Sequence, residues 1–402
     1  MLPNINLFSK FKSKITSLDF DRLEDFVFII DNISTAFAVA IIAKDRSIHC
    51  IYECKEITWR KANFVALYDF ILSDVTFLSK VVISVPHPYL GHSNSFFDRI
   101  WQQFKFVRSV RKRYPLDSRR IYISSIVSSL LIANKRFVKY ILIDEGMGSV
   151  VTRNLILFRG NHFLHWLKYA IGSRLLSFHF PKSTPQITLT NDPHPSVVKI
   201  LDYRDFDSSA LKGSLVRLNN LMARGNCNVL VLLKGPTSST SGHPCELDQL
   251  SDQYINFNVR AILAFLDKLP HEVSPIFYLK SHPSLGSSLG KLNSLISYLN
   301  DKRVIAYDAL NYIDFVEASS LPGEGLLRYL RFDYILALDV SSLLWNVTHV
   351  NNVKCFMPLD YIIRFAKLEG SLHSELYNLQ PNINRLMGGS VCFYDVPSSA
   401  IE

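Results

Sequence analysis

Several short segments place groups capable of proton transfer or anion binding directly behind apolar runs. Tyr140-Ile-Leu-Ile-Asp-Glu-Gly146 sets Asp144 and Glu145 at the end of such a run, with Gly146 and Gly148 following. A carboxylate at the end of a buried strand can take a proton from a sugar hydroxyl, or it can simply cap a turn. In Ile276-Phe-Tyr-Leu-Lys-Ser-His-Pro283, Pro283 restricts the backbone at His282. A histidine near Lys280 could hold a phosphate or a nucleotide. His-Pro recurs at 87–88, 194–195 and 243–244, but of the four only His87 and His282 follow convincing strands. His87 could face an acceptor; an exposed loop histidine explains each of the two alone. Ser341 and Ser342 stand between the run Tyr334–Leu338 and an apolar segment from Leu343. Hydroxyls there can cap a helix, and with the free N–H groups of its first turn they can bind an anion. Glu324, in Leu321-Pro-Gly-Glu-Gly-Leu-Leu327, could accept bonds from ribose hydroxyls. Gly235 and Thr237, in Leu233-Lys-Gly-Pro-Thr-Ser-Ser239, could approach a ligand or belong to a surface loop.

These groups need strands to hold them, and the chain supplies a regular alternation. Apolar runs at 26–30, 47–52, 80–84, 120–124 and 140–143 read as strands, with helix-like stretches at about 33–43, 59–73, 94–114 and 125–136. From about 177 to 222 the rhythm breaks at Pro181, Pro185, Pro193 and Pro195. It restarts with strands at 228–233, 276–279, 303–307, 334–338 and 353–356, helices near 246–268 and 287–300, and a short helix from Ser342. Strands alternating with helices predict parallel sheets covered on both faces. The expected fold is α/β with two doubly wound, Rossmann-like domains facing a central cleft. Ligands of such sheets bind outside the carboxyl ends of the strands, where the candidate residues stand. No repeat of fixed short period is present.

Composition narrows the classes further. In 402 residues, 48% are hydrophobic and 20% charged, which excludes disordered, collagenous and low-complexity chains. The net charge of +9 points to an anionic partner: nucleic acid, membrane surface or acidic sugar. The cysteines (Cys50, Cys54, Cys227, Cys245, Cys355, Cys392) are scattered without a CxxC or a histidine cluster, so reduced thiols are expected and a zinc site is not. The Asn-x-Ser/Thr sequences at Asn32 and Asn346 then carry little meaning. The most apolar stretch, Phe26–Ala43, is broken by Asp31, Asn32, Ser34 and Thr35, so no membrane span is expected. Met1–Asp19 holds lysines but no continuous apolar core, so no leader is expected either.

In this order, Asp144-Glu145-Gly146, His282-Pro283 and Ser341-Ser342 resemble the D/E-D/E-G, H-P and Ser-Ser motifs of bacterial sialyltransferases and polysialyltransferases of GT-B architecture. The resemblance spans roughly residues 25 to 375. It implies an N-terminal acceptor domain over 1–222 carrying the catalytic base, and a CMP-sugar donor domain over 223–375. A tail over 376–402 is expected to pack back on the N-terminal domain. It implies Asp144 as general base with Glu145 next in line, His282 on the CMP phosphate, Ser341 and Ser342 on phosphate oxygens, and Glu324 on the ribose. The donor substrate would be CMP-sialic acid, with inversion at the transferred carbon and no metal or other cofactor. The acceptor would be a bacterial surface glycan: capsule, O-antigen or lipooligosaccharide. Another CMP-activated keto-sugar acid, Kdo or legionaminic acid, would need a similar cytidine site. A non-catalytic protein binding anions or nucleic acid is the alternative of another class, but no helix-turn-helix, RRM or zinc-finger signature supports it.

Two basic segments suggest company for the enzyme. Lys105 to Arg120 carries seven Lys and Arg residues against Asp117 alone, interleaved with Phe106 and Val107 and preceded by Trp101 and Phe104. Such a helix could meet anionic lipid, an anionic glycan or nucleic acid, or be a solvated face. Leu7, Phe8 and Phe11 with Lys10, Lys12 and Lys14 suggest a second interfacial segment. The expected location is the cytoplasm, with peripheral contact at the cytoplasmic face of the inner membrane and a lipid-linked acceptor within reach.

Overall fold

The computed structural model describes residues 23–56, 64–86, 96–125, 128–143, 184–188, 196–223, 227–233, 252–270, 272–281, 289–315, 318, 321, 323–338, 353–368 and 391–397. They divide into two compact units that part between Ser208 and Ser209.

The first unit is built on seven strands: β1 (Phe26–Ile30), β2 (Ser47–Glu56), β3 (Thr76–Pro86), β4 (Ile121–Ser125), β5 (Lys139–Ile143), β6 (Gln186–Thr188) and β7 (Val197–Ile200). They lie in the order β3-β2-β1-β4-β5-β6-β7, and every pair is parallel. A parallel pair needs a crossover, and helices supply it: α1 (Ile33–Ile42), α2 (Phe64–Ile71), α3 (Phe96–Arg113) and α4 (Ser129–Asn134). Burial on both faces explains the unbroken apolar runs of β1 and β5, which made them legible. Helix α1 is apolar on all sides and buried from Thr35 to Ile42. One side faces the sheet, while Phe37 packs its ring 4.5 Å from Phe206 and 5.9 Å from Tyr203.

The second unit opens with α5 (Ser209–Ser214) and α6 (Val216–Met222). It continues through β8 (Asn228–Leu232), α7 (Asp252–Leu266), β9 (Ile276–Lys280), α8 (Leu289–Asp301), β10 (Ala306–Asp308), α9 (Gly323–Tyr329), β11 (Tyr334–Ala337), β12 (Lys354–Met357), α10 (Leu359–Leu368) and β13 (Val391–Phe393). The strand order is β10-β9-β8-β11-β12-β13, again all parallel. Numbered within the unit this is 3-2-1-4-5-6, the order of dinucleotide-binding sheets. Phe265 of α7 anchors the core, its ring 5.0 Å from Phe356 and 6.2 Å from both Tyr334 and Tyr394.

The expected α/β class with two Rossmann-like parallel-sheet units holds. Four details differ from expectation. The units part at 208/209 rather than 222/223, because α5 and α6 are tied to the second unit: Asp314 N–H donates to Ser214 O (3.0 Å) and Arg217 pairs with Asp314 (2.9 Å). Residues 391–397, expected against the N-terminal domain, instead close the second sheet. There β13 pairs with β12, and the Tyr394 hydroxyl donates to Ala261 O (2.8 Å). The proline-rich middle, read as a break, contains β6 and β7. The strand expected from Arg303 starts at Ala306, because Arg303 adopts φ 63° in the turn that ends α8.

Candidate functional site

In an open parallel sheet the strand order reverses at one point, and the loops on either side of it diverge to leave a crevice at the carboxyl ends. That point lies between β1 and β4 in the first sheet and between β8 and β11 in the second.

At the first switch point most of the described polar side chains satisfy one another, although the buried Ser129 hydroxyl finds no partner among the described residues. Asp31, directly after β1, accepts from the Ser125 hydroxyl at the end of β4 (2.7 Å) and from the Thr35 hydroxyl (3.2 Å). Asn32 caps α1 by accepting from Thr35 N–H (2.8 Å), and the Ser124 hydroxyl donates to Ile29 O (3.0 Å). On β2, fully buried Glu53 accepts from Ser129 N–H (2.7 Å), Leu130 N–H (3.1 Å) and the Ser128 hydroxyl (2.7 Å). Ser128 in turn accepts from Leu131 N–H (3.1 Å), so Glu53 and Ser128 together hold the start of α4. In the sequence Asp31, Asn32 and Thr35 stood out as polar breaks in an apolar stretch, and Glu53 not at all. Glu53 lies in a polar-looking strand, and only the pairing of β2 with β1 reveals that it is inside.

Asp144 and Glu145 lie outside the described residues, as does His87. Their departure points are fixed: Asp144 follows Ile143, the last residue of β5, and His87 follows Pro86, the last of β3. β5 is one strand beyond the switch, whereas β3 is the opposite edge. Four strand spacings separate them, about 19 Å. The sheet thus keeps the departure points of Asp144 and His87 apart.

The second sheet draws its candidates' departure points together. Leu233 N–H donates to Lys280 O (3.0 Å) and Leu338 N–H to Leu232 O (2.9 Å), so the carboxyl ends of β9, β8 and β11 stand side by side. The segments leaving them carry His282, Gly235 with Thr237, and Ser341 with Ser342 respectively; these five residues lie outside the described ones. Helix α9 begins at the same place. A Cβ on Gly323 would sit 2.5 Å from Leu232 Cδ2, so the missing side chain lets the helix start press on the end of β8. Glu324 is therefore in the first turn of α9 at this edge, although its side chain is outside the described set.

Two buried charged residues of this edge take on roles that the sequence did not assign. Lys280, only 2% exposed, donates to Ser281 O (2.7 Å), fixing the backbone just ahead of His282. Asp308 ends the adjacent β10 opposite Leu279; its Oδ1 accepts from Leu310 N–H (2.9 Å) and its Oδ2 accepts no hydrogen bond. Desolvation raises the Asp308 carboxyl above the ordinary range, while the Leu310 N–H and then the Lys280 charge oppose that rise. The buried thiols are poor nucleophiles, because burial pushes Cys227 up to about 11 and Cys355 up to about 12. Among the described residues no cluster of three metal-ligating side chains occurs, and no helix is long and apolar enough to cross a membrane.

No family model matches the sequence, and no curated protein matches it. Among solved structures the chain is similar to the UDP-GlcNAc 2-epimerase of Methanocaldococcus jannaschii, solved with UDP-GlcNAc and UDP. The identity is 11% and the TM-score 0.42, over 94% of this chain and 90% of that one.

Proposed function

We propose that the protein is an inverting sialyltransferase that moves sialic acid from CMP-sialic acid to a bacterial surface glycan. One observation carries most of the weight: the segments bearing Gly235 and Thr237, His282, and Ser341 with Ser342 leave three adjacent strand ends around the switch point of a 3-2-1-4-5-6 sheet. That is where such sheets hold nucleotides, and a histidine with serines is a suitable set for a departing phosphate. Asp144 leaves the first sheet one strand from its own switch point, a fitting position for a base that serves the acceptor.

The chemistry runs in one displacement. Asp144 takes the proton of the acceptor hydroxyl, and the oxygen attacks C2 of sialic acid on the face opposite the phosphate. The C2–O bond to phosphorus breaks, and CMP leaves with its charge held by His282, Ser341 and Ser342. Glu324 holds the ribose. Transfer of a related CMP-activated keto-sugar acid would use the same groups.

Mass spectrometry of products tests the reading, with CMP-sialic acid, CMP-Kdo and CMP-legionaminic acid offered to glycan acceptors. A sialylated product is expected. Asp144→Asn should lower turnover by about 10²–10⁴-fold with CMP affinity retained. Near-normal turnover would remove Asp144 from the base role, and absence of CMP binding to the wild type would sink the proposal.

A further inference from the structure

Helix α3 has two differently composed faces. Phe106, Val107 and Val110 pack with Ile83, Val85, Leu130 and Leu131 in the core of the first unit. The other face carries Trp101, Phe104, Lys105, Arg108, Arg111 and Lys112, spaced so that they fall within an arc of about 120° at 3.6 residues per turn. All six are exposed; Trp101 is 57% and Phe104 49% accessible, and Phe137 beside them is 55% accessible. From Arg99 to Leu116 the sequence contains no acid, and no ion pair among the described residues engages Lys105, Arg108, Arg111 or Lys112.

Large aromatics exposed beside unpaired cations are costly in a surface that meets only water, so this face calls for an anionic partner with an apolar layer. The rings decide which. Trp101 stacks on Phe104 (6.0 Å between centroids, 14° between planes), Lys105 Nζ lies 5.3 Å over Trp101, and the Arg111 guanidinium lies 4.9 Å over Phe137. These contacts compete for the ring faces that a nucleobase would need for stacking. A bilayer makes no such demand: aromatics enter the headgroup boundary while the cations beside them meet lipid phosphates.

We propose that the outer face of α3 docks the protein on an anionic phospholipid bilayer, with Trp101, Phe104 and Phe137 entering the interface and Lys105, Arg108, Arg111 and Lys112 contacting headgroups. The surface stands apart from the proposed transfer chemistry and would serve any reaction at this sheet. The topology adds a consequence. As a crossover helix α3 runs back against the strands, so its aromatic end lies toward their carboxyl ends, the edge from which Asp144 departs. A lipid-linked acceptor would thus be met on the side where its hydroxyl is needed.

Flotation of the full chain with phosphatidylcholine vesicles, with and without phosphatidylglycerol, tests this directly. Binding should require phosphatidylglycerol and fall as salt rises. Trp101→Ser/Phe104→Ser and, separately, Lys105→Gln/Arg108→Gln/Lys112→Gln should each weaken it by about tenfold or more. Circular dichroism should be unchanged, since all five side chains point away from the core. Vesicle binding that ignores both sets of substitutions, or that vanishes only when residues 1–16 are removed, overturns the proposal. So does retention on single-stranded DNA or polysialic acid that the same substitutions abolish, with no vesicle binding.

Discussion

Replacing Glu53 should damage stability far more than its place in a polar-looking strand suggests. The carboxylate is fully buried and accepts three hydrogen bonds, from Ser129 N–H, Leu130 N–H and the Ser128 hydroxyl. Hydrogen bonds to a charged group contribute about 1.5–3 kcal/mol each. In Glu53→Gln one oxygen remains, and its better orientation keeps the Oε2 bonds to Ser128 and Leu130 while turning an NH₂ toward the Ser129 N–H. One bond is lost and two donors face each other, which is offset in part because a charge no longer has to be desolvated. The net loss should be about 2 kcal/mol. Glu53→Ala leaves all three donors buried without this acceptor and adds a cavity, so about 4–6 kcal/mol is expected.

Urea unfolding with a common m-value is the assay, supported by hydrogen exchange of the Ser129 and Leu130 amides. Ser128→Ala should cost about 1–2 kcal/mol by removing the cap on Leu131 N–H. Combined with Glu53→Gln it should cost less than the sum, because both act on the same turn. A Glu53→Ala protein within about 1 kcal/mol of wild type would refute the argument. Lost turnover in Glu53→Gln with unchanged stability would refute it in another way, by giving Glu53 a chemical role.

Two further perturbations follow from buried charges. Asp308→Asn should leave stability at neutral pH unchanged or raise it by up to about 1 kcal/mol, because the carboxyl it replaces is raised by burial. A raised carboxyl stabilises the fold below its unfolded pKa and loses that contribution as pH rises through the folded one. The variant should therefore show a flatter acid-to-neutral profile in urea midpoints, and a loss above about 2 kcal/mol would mean instead that ionised Asp308 pairs productively with Lys280. Lys135 is pushed down to about 8, first by burial and then by the Arg136 charge. Between about 8 and the unfolded value of about 10.4 the unfolded chain binds more protons, so this group makes stability rise with pH. Lys135→Met should gain most over wild type below pH 8 and converge with it near pH 10; parallel Tm profiles across that window would contradict the assignment.

How much was legible in the sequence depended on what each strand buries. β1, β4, β5, β8, β9 and β11 are apolar runs because helices cover both their faces, and each was found within a residue or two. β2 and β3 run longer than their apolar centres: β2 continues through Glu53 and Lys55, and β3 includes Ser79 and Lys80. In β2 the buried polar residue is satisfied by a helix start 75 residues away, which no local period reveals. β6 and β7 span three or four residues each and fall below any periodic signal, whereas β10 was found with its start displaced by three residues. Helix α9 hides because it opens Gly-Glu-Gly, and the first glycine is there for the contact with Leu232.

The candidate site was half legible for a related reason. A break from apolar to polar marks a strand end, so Ser281-His282, Leu233-Lys234-Gly235 and the segment after Leu338 could each be recognised. Their adjacency depends on strand order, since residues 233, 281 and 338 become neighbours only because β8 lies between β9 and β11. The same order separates the two switch points by chemistry. At the first, Asp31 and Glu53 crowd the carboxyl edge with carboxylates already committed to Ser125, Thr35 and the start of α4. A phosphate there would meet negative charge. At the second, the described strand ends are Leu233, Leu338 and Lys280, and the Asp308 carboxyl beside them is raised toward its neutral form by burial. Among the described side chains the second edge is thus the less negative of the two, which is in keeping with the proposed division of work between the sheets.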